Sequence, residues 1–110
     1  MTQIRKTYNE VNPELLYAEI RDFILKHGAS LGENKLETYT LPDQSASFIS
    51  RSTLTFRCEP DRECIRVHIV GSARGETKLM LDVDEALFPQ EKLSALQNDL
   101  DFIFGSYEVK

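Results

Sequence analysis

Residues 48–58 read FISRSTLTFRC, residues 64–70 read CIRVHIV and residues 77–83 read TKLMLDV. In each stretch apolar and polar side chains alternate, which is typical of a β-strand that buries one face and leaves the other in water. Three such strands in succession predict an antiparallel sheet that is covered on one side only. The polar side of this sheet is therefore the surface where we expect binding side chains.

Two amphipathic segments predict the helices that cover the sheet. Asn12 is a good N-cap, Pro13 fits the first helical position, and Gly28 suits the left-handed residue that follows a helix. Pro89 is predicted to be the first residue of the last helix. Each helix carries an apolar stripe at helical spacing. The stripes consist of Leu16, Ile20, Phe23, Ile24 and His27 in the first helix, and of Leu93, Leu96, Leu100, Ile103, Phe104 and Tyr107 in the last.

Turn residues separate the predicted strands. Residues 35–41 form a strand that ends at a turn of residues 42–44, which read PDQ. A long strand follows over residues 46–58. Hairpin loops are predicted at residues 59–63 and 71–75, the second of which has glycine at both ends.

The element order is (β)-α-β-β-β-β-α within one domain, residues 1–110. The bracketed strand reflects two options for residues 1–11, which either add a short edge strand around Ile4–Tyr8 or form no regular structure. The predicted fold class is α+β: a four- to five-stranded antiparallel sheet with two helices packed on one face. This order resembles the TATA-box-binding-protein-like and helix-grip topologies. The resemblance rests on element order alone and implies a shape, not a function.

Composition and charge narrow the class of protein. The 110 residues are 41% hydrophobic and 28% charged, as in an ordinary folded domain. No apolar run approaches the ~20 residues that span a bilayer, and the N-terminal residues lack the apolar region of a signal peptide. We therefore expect a cytoplasmic protein that does not contact membranes. The net charge of −5 arises after residue 81, from seven acidic and two basic residues: Asp82, Asp84, Glu85, Glu91, Asp99, Asp101 and Glu108 against Lys92 and Lys110.

The two cysteines flank the first hairpin loop. A register that keeps core residues opposite core residues sets Phe56 against Val67, which places Cys58 opposite Ile65. A direct Cys58–Cys64 pair would need a β-bulge. We therefore expect Cys58 to be a small buried apolar residue and Cys64 to be a free thiol. A metal site of both cysteines and His68 is disfavoured because it has only three ligands.

Five basic side chains are predicted to share the polar face of the sheet. They are Arg51, Arg57, Arg66, His68 and Lys78. The register above places Arg57 opposite Arg66 and Thr55 opposite His68, while the second hairpin admits either Met80 or Lys78 opposite His68. Like charges placed opposite each other repel unless an anion relieves them, so this surface is the candidate binding site. The alternative is a solvated face whose bases are neutralised by Glu63, Glu76 and Asp82.

These features predict a small non-catalytic binding or protein-interaction module. Its partner would be another protein or an anionic small molecule. A homodimer is a further option because residues 46–58 are long for a strand and Leu87, Phe88 and Phe102 could form an exposed apolar patch. Nucleic acid is disfavoured by the acidic net charge and by the lack of stacking aromatics on the polar face.

Three other functions are alternatives to this one. The first is an apolar ligand held between the last helix and the sheet, in a cavity walled by Phe48, Leu54, Phe56, Val67, Ile69, Leu79, Leu81, Leu96, Leu100, Ile103 and Phe104. The second is catalysis, which is disfavoured because neither histidine has a nucleophile at a sequence spacing that is typical of a catalytic pair. The third is a metal site at Asp82, Asp84 and Glu85, although such a strand end is usually just solvated. No cofactor is expected.

Overall fold

The structure, a computed structural model, describes residues 2–40, 48–71 and 75–109, without the side chains of Thr40 and Phe48. The elements are β1 (Thr2–Asn9), α1 (Pro13–Lys26), β2 (Ser30–Thr40), β3 (Phe48–Cys58), β4 (Arg62–Gly71), β5 (Glu76–Val83), α2 (Gln90–Phe104) and a 3-10 turn (Gly105–Tyr107). This order confirms the predicted α+β class. The predicted turn at residues 42–44, the start of the long strand at 46–47 and residues 72–74 lie outside the described residues.

The five strands form one sheet in the order β1-β5-β4-β3-β2, and every neighbouring pair is antiparallel. The N-terminal segment is therefore an edge strand, longer than the predicted one, and it pairs with the last strand of the sheet. Strand β2 forms the opposite edge. Helix α1 connects the two edges. No helix in the described part of the chain combines the length and the apolar content that crossing a bilayer requires.

Both helices pack on one face of the sheet, as predicted. The buried residues of the strands and helices form a single cluster. Its members include Tyr8, Leu54, Phe56, Ile65, Val67, Ile69, Leu79, Leu81 and Val83 from the sheet, Leu16, Ile20 and Ile24 from α1, and Leu93, Leu96, Leu100 and Phe104 from α2. The other face of the sheet stays open.

The predicted helix boundaries hold at α1. The Asn12 side chain accepts a hydrogen bond from the Glu14 backbone N–H at 2.8 Å, and Gly28 has a φ of +94°. A left-handed residue directly after the helix allows the chain to turn back toward β2, and glycine adopts it without strain. The C-terminal end of α1 is tied to α2, because Lys92 Nζ donates to the His27 carbonyl oxygen at 2.8 Å.

Two details at α2 differ from the prediction. The helix begins at Gln90, with Pro89 as its N-cap, and it ends at Phe104. Because a 3-10 turn follows, the apolar stripe does not continue, and Tyr107 is 48% exposed. The predicted apolar patch is also smaller, since Phe88 is buried in the core while Phe102 is 90% exposed.

The first hairpin corrects the predicted register. Phe56 pairs with Ile65, two residues away from the expected Val67, and the register shifts between Phe56 and Arg57. This shift is a β-bulge in which Cys64 is the extra residue of β4, so Cys64 and Ile65 are consecutive in sequence and both buried.

The bulge brings the two cysteines together. Cys58 and Cys64 form a disulfide with a Cα–Cα distance of 5.8 Å. The expectations of an unpaired Cys58 and a free Cys64 thiol were therefore wrong. An alternating pattern shows which side chains share a face, but it admits registers that differ by two residues, and it cannot show that a residue has been inserted.

The second hairpin adopts one of the two expected registers, with His68 opposite Met80. Gly71, predicted to start the loop, is instead the last residue of β4 and pairs with Thr77.

Candidate functional site

The open face of the sheet carries rows of side chains that run across the strands. Because directly paired residues of antiparallel strands share a face, the strand registers define these rows. They read Glu37–Arg51–Val70–Lys78–Thr7, then Lys35–Thr53–His68–Met80–Arg5, then Thr55–Arg66–Asp82–Gln3. Arg57 lies beyond them, opposite Glu63. All five predicted basic residues therefore lie on this face.

Two of the five are held in ion pairs by nearby carboxylates. Arg66 contacts Glu63 through two nitrogens, with Nη2 at 3.0 Å from Oε1 and Nε at 3.4 Å from Oε2. This pairing raises the pKa of Arg66 above its usual value. Arg57 Nη1 lies 3.6 Å from Asp61 Oδ1.

The predicted repulsion between Arg57 and Arg66 is therefore wrong. The true register sets Arg57 opposite Glu63 and Arg66 opposite Thr55. Two changes cause the difference. The pairing of β3 with β4 is shifted by two residues from the prediction, and the bulge at Cys64 adds one more, which brings Glu63 opposite Arg57.

The other three predicted bases, Arg51, His68 and Lys78, form no salt bridge with any residue that the structure describes. His68 has one side-chain neighbour within hydrogen-bonding range, since its Nδ1 lies 3.5 Å from Thr53 Oγ1. Arg51 stands opposite Glu37 in the sheet, and Lys78 stands opposite Val70.

A fourth base without a salt bridge, Arg5, lies on the same face and was not predicted from the sequence. It pairs with Met80 across β1 and β5, and its Nε donates to Gln3 Oε1 at 2.9 Å. The signal was hidden by Lys6, which interrupts the apolar alternation of β1. Lys6 faces the helices, where its Nζ lies 3.3 Å from Asp101 Oδ1 and 3.2 Å from Glu108 Oε1.

An open depression of about 520 Å³ lies between these bases. Arg5, Thr7, His68, Val70, Lys78 and Met80 are among its lining residues. Val70 and Met80 are half-buried and provide an apolar floor, while Arg5 and Lys78 are exposed. Arg51 borders the depression because it pairs with Val70. We call Arg5, Arg51, His68 and Lys78, with this floor, the basic depression.

The arrangement is suited to holding an anion. Arginine and lysine are permanently charged at neutral pH, and their side chains here can reach a ligand from several strands. The described residues contain no cluster of three metal-binding side chains, and Asp84 instead accepts a hydrogen bond from the Ala86 backbone N–H at 3.1 Å.

The walls of the predicted apolar cavity pack into the core. Of the expected wall residues, those with described side chains are buried, apart from Ile103, which is 38% exposed. The side chain of Phe48 lies outside the described residues. The binding of an apolar ligand between the last helix and the sheet stays a prediction, and no contact among the described residues supports it.

Comparison of the chain with protein-family models, with curated proteins and with solved structures finds no match. The function is therefore argued from the site itself.

Proposed function

We propose that this chain is a small non-catalytic binding module that docks an acidic segment of a partner protein on its open sheet face. The observation that carries the proposal is the basic depression. Arg5, His68 and Lys78 line it from three strands, and Arg51 lies beside it on a fourth strand, opposite the lining residue Val70. None of these four bases forms a salt bridge with a described residue.

Charge supports an anionic partner. On a chain with a net charge of −5, carboxylates are plentiful, and on the same face they already neutralise Arg57 and Arg66. Arg5 and Lys78 form no salt bridge with a described carboxylate, and an anionic ligand would relieve the repulsion between them. Opposite charges at an interface also speed association and exclude wrong partners.

The shape of the depression favours a protein segment over a small molecule. Sites for small molecules usually enclose most of their ligand, whereas this depression is open along the sheet. An acidic segment could place carboxylates beside Arg5 and Lys78 and an apolar side chain on Met80. The surrounding sheet face would extend the contact toward Arg51.

The test uses a synthetic peptide of alternating glutamate and leucine, with a lysine-for-glutamate peptide as the negative probe. Binding would be followed by fluorescence anisotropy and by chemical-shift changes of backbone amides. We expect the shifts to centre on β1, β5 and β4, and the affinity to fall as salt is added.

Charge reversal then locates the site. Arg5→Glu combined with Lys78→Glu should weaken binding by about a hundredfold or more. Turning each attraction at ~4 Å in water into repulsion changes the energy by about 2 kcal/mol, or about 4 kcal/mol for both sites, and dissolved salt reduces this by screening. Arg5→Glu and Lys78→Glu are also measured singly, and the matched control for each is Arg62→Glu, an exposed arginine in the first hairpin that forms no salt bridge with a described residue. Equal affinity of the double variant and the native chain would refute the site. An equal loss in Arg62→Glu would show non-specific attraction.

The predicted cytoplasmic location is part of the proposal and has its own test. Reducing compartments keep thiols free, whereas oxidising compartments preserve disulfides such as Cys58–Cys64. Because Cys64 is buried, cells would be quenched with acid and the protein denatured before alkylation, which should then label both cysteines without reduction if the protein is cytoplasmic. Labelling only after chemical reduction would overturn that location.

A further inference from the structure

The two edge strands of the sheet differ in whether another described segment of the chain covers them. The C-terminal segment covers part of the outer edge of β1, because Val109 N–H donates to the Thr7 carbonyl oxygen at 2.7 Å and Glu108 bridges to Tyr8. On the outer edge of β2, no described strand pairs with the backbone. An uncovered edge strand offers a row of free N–H and C=O groups to another strand.

Strand β2 is long, accessible and partly apolar. It spans 11 residues, and its residues 30–36, 38 and 39 are exposed. Leu36 is 48% exposed, although it lies on the helix-covered side of the sheet, opposite Ser52 of β3. A bulge between Leu31 and Asn34 restricts regular pairing to the part of the strand from Asn34 onward.

This regular part is complementary to itself in one antiparallel register. With a twofold axis at Leu36, Lys35 stands opposite Glu37 of the second copy, and Glu37 stands opposite Lys35 of the second copy. Both side chains lie on the open face, since their β3 partners Thr53 and Arg51 do. Leu36 meets its own copy on the other side, and Asn34 meets Thr38.

The neighbouring registers lack this complementarity. An axis at Lys35 sets two lysines against each other and Glu33 against Glu37. An axis at Glu37 sets two glutamates against each other. Like charges directly opposite destabilise a strand pair, whereas opposite charges and apolar pairs stabilise it.

We infer that two copies of this chain associate through β2, antiparallel about a twofold axis at Leu36, and join their sheets into one continuous sheet. The contact is isologous, so it closes on itself and forms a dimer rather than a fibre. The exposed part of Leu36 becomes covered by the second Leu36. This inference does not depend on the acidic partner proposed above.

Cysteine cross-linking tests the register. In the inferred dimer the two copies of residue 36 lie directly opposite, with Cα atoms about 4.5–5.5 Å apart, which a disulfide can bridge. The two copies of residue 38 are four positions out of step, about 13 Å apart along the strands. Leu36→Cys should therefore give a covalent dimer under mild oxidation, and the matched control Thr38→Cys should not. Equal cross-linking of both variants, or none in Leu36→Cys, would overturn the register.

A charge exchange provides an independent test. Lys35→Glu places glutamates opposite glutamates, and Glu37→Lys places lysines opposite lysines, so each variant alone should dissociate. An equal mixture of the two restores opposite charges at every position and should form a mixed dimer. Light scattering of each solution reports the mass.

The mass of the native protein in solution tests whether the dimer forms at all. We expect the mass of two chains, reduced to that of one by Leu36→Arg, with Leu15→Arg as a control at a 63% exposed leucine of α1. A native chain that keeps a single-chain mass at its highest soluble concentration would overturn the dimer. Because no peptide is present in this experiment, such a failure would leave the docking proposal standing.

Discussion

Gly71 lies so close to Thr77 of β5 that it leaves no room for a side chain, and adding a single methyl group tests this contact. A Cβ at this position would lie 2.4 Å from Thr77 Oγ1 and 2.9 Å from Thr77 Cα. Thr77 is fully buried, and its hydroxyl donates to the Val11 carbonyl oxygen at 2.6 Å. The substitution Gly71→Ala must therefore displace both a side chain and a strand.

The expected cost follows from these contacts. Rotating the Thr77 side chain out of the way breaks its hydrogen bond to Val11, at about 1 kcal/mol. The contact with Thr77 Cα remains, and moving β5 away from β4 costs about 1–3 kcal/mol, as in other overpacked cores. Alanine also has less conformational entropy than glycine in the unfolded chain, which stabilises the folded state by about 0.4–1 kcal/mol. The net effect is a loss of about 2 kcal/mol in the free energy of unfolding.

Urea unfolding followed by circular dichroism measures this loss. The control is Gly105→Ala, because Gly105 has helical backbone angles (φ −58°, ψ −33°) and an added Cβ would meet only Asp101 Cβ, at 3.8 Å. We expect this control to be stabilised by about 0.4–1 kcal/mol. A Gly71→Ala variant within about 0.5 kcal/mol of the native chain would refute the pairing of Gly71 with Thr77.

Two further predictions concern the disulfide and the contact between the helices. Replacing Cys58 and Cys64 by serine should lower the free energy of unfolding by about 2 kcal/mol, because the unfolded chain regains the conformational entropy that closing so short a loop removes. An unchanged midpoint of urea unfolding would show that the disulfide does not constrain the unfolded chain. A hydrogen bond with the Asp99 carboxyl group raises the pKa of Glu19, with smaller contributions from partial burial and charge repulsion. Because that pKa is raised on folding, its contribution favours the folded state in acid and is lost as pH rises through the folded pKa. Glu19→Gln should therefore be more stable than the native chain at neutral pH, with the gap closing in acid. A gap of the opposite sign, measured by thermal unfolding across pH, would contradict this.

Most of the architecture was predictable because it depends on local patterns. The alternation in β3, β4 and β5 identified the covered and open faces, and Asn12, Pro13 and Gly28 marked the ends of α1. These signals involve neighbouring residues and need no knowledge of the partner strand. Strand β2 was placed five residues too late, at 35 instead of 30, because its bulge disrupts the alternation.

The candidate site was predictable only in part. Arg51, His68 and Lys78 remain in it, since a residue's face depends on alternation alone. Which carboxylate neutralises which base depends on the register, and a two-residue shift of the pairing together with the insertion at Cys64 altered it for Arg57 and Arg66.

Arg5 was missed for a different reason. Lys6 faces the helices and replaces an apolar side chain with an ion pair to Asp101 and Glu108. An amphipathic strand whose inward position holds a lysine cannot be recognised from hydrophobicity, because the residues that neutralise the charge lie about a hundred positions away in the chain.

The position of β1 has a consequence for folding during synthesis. β1 emerges from the ribosome before the other four strands, but its partner is β5, and the pairs run from Asn9 with Glu76 to Thr2 with Val83. The strands β2 to β5 can pair with their sequence neighbours as they appear, whereas β1 must wait for most of the chain. Contacts so distant in sequence slow folding, and until they form β5 is a second uncovered edge. The nascent chain is therefore most exposed to wrong strand pairing just before β1 joins the sheet.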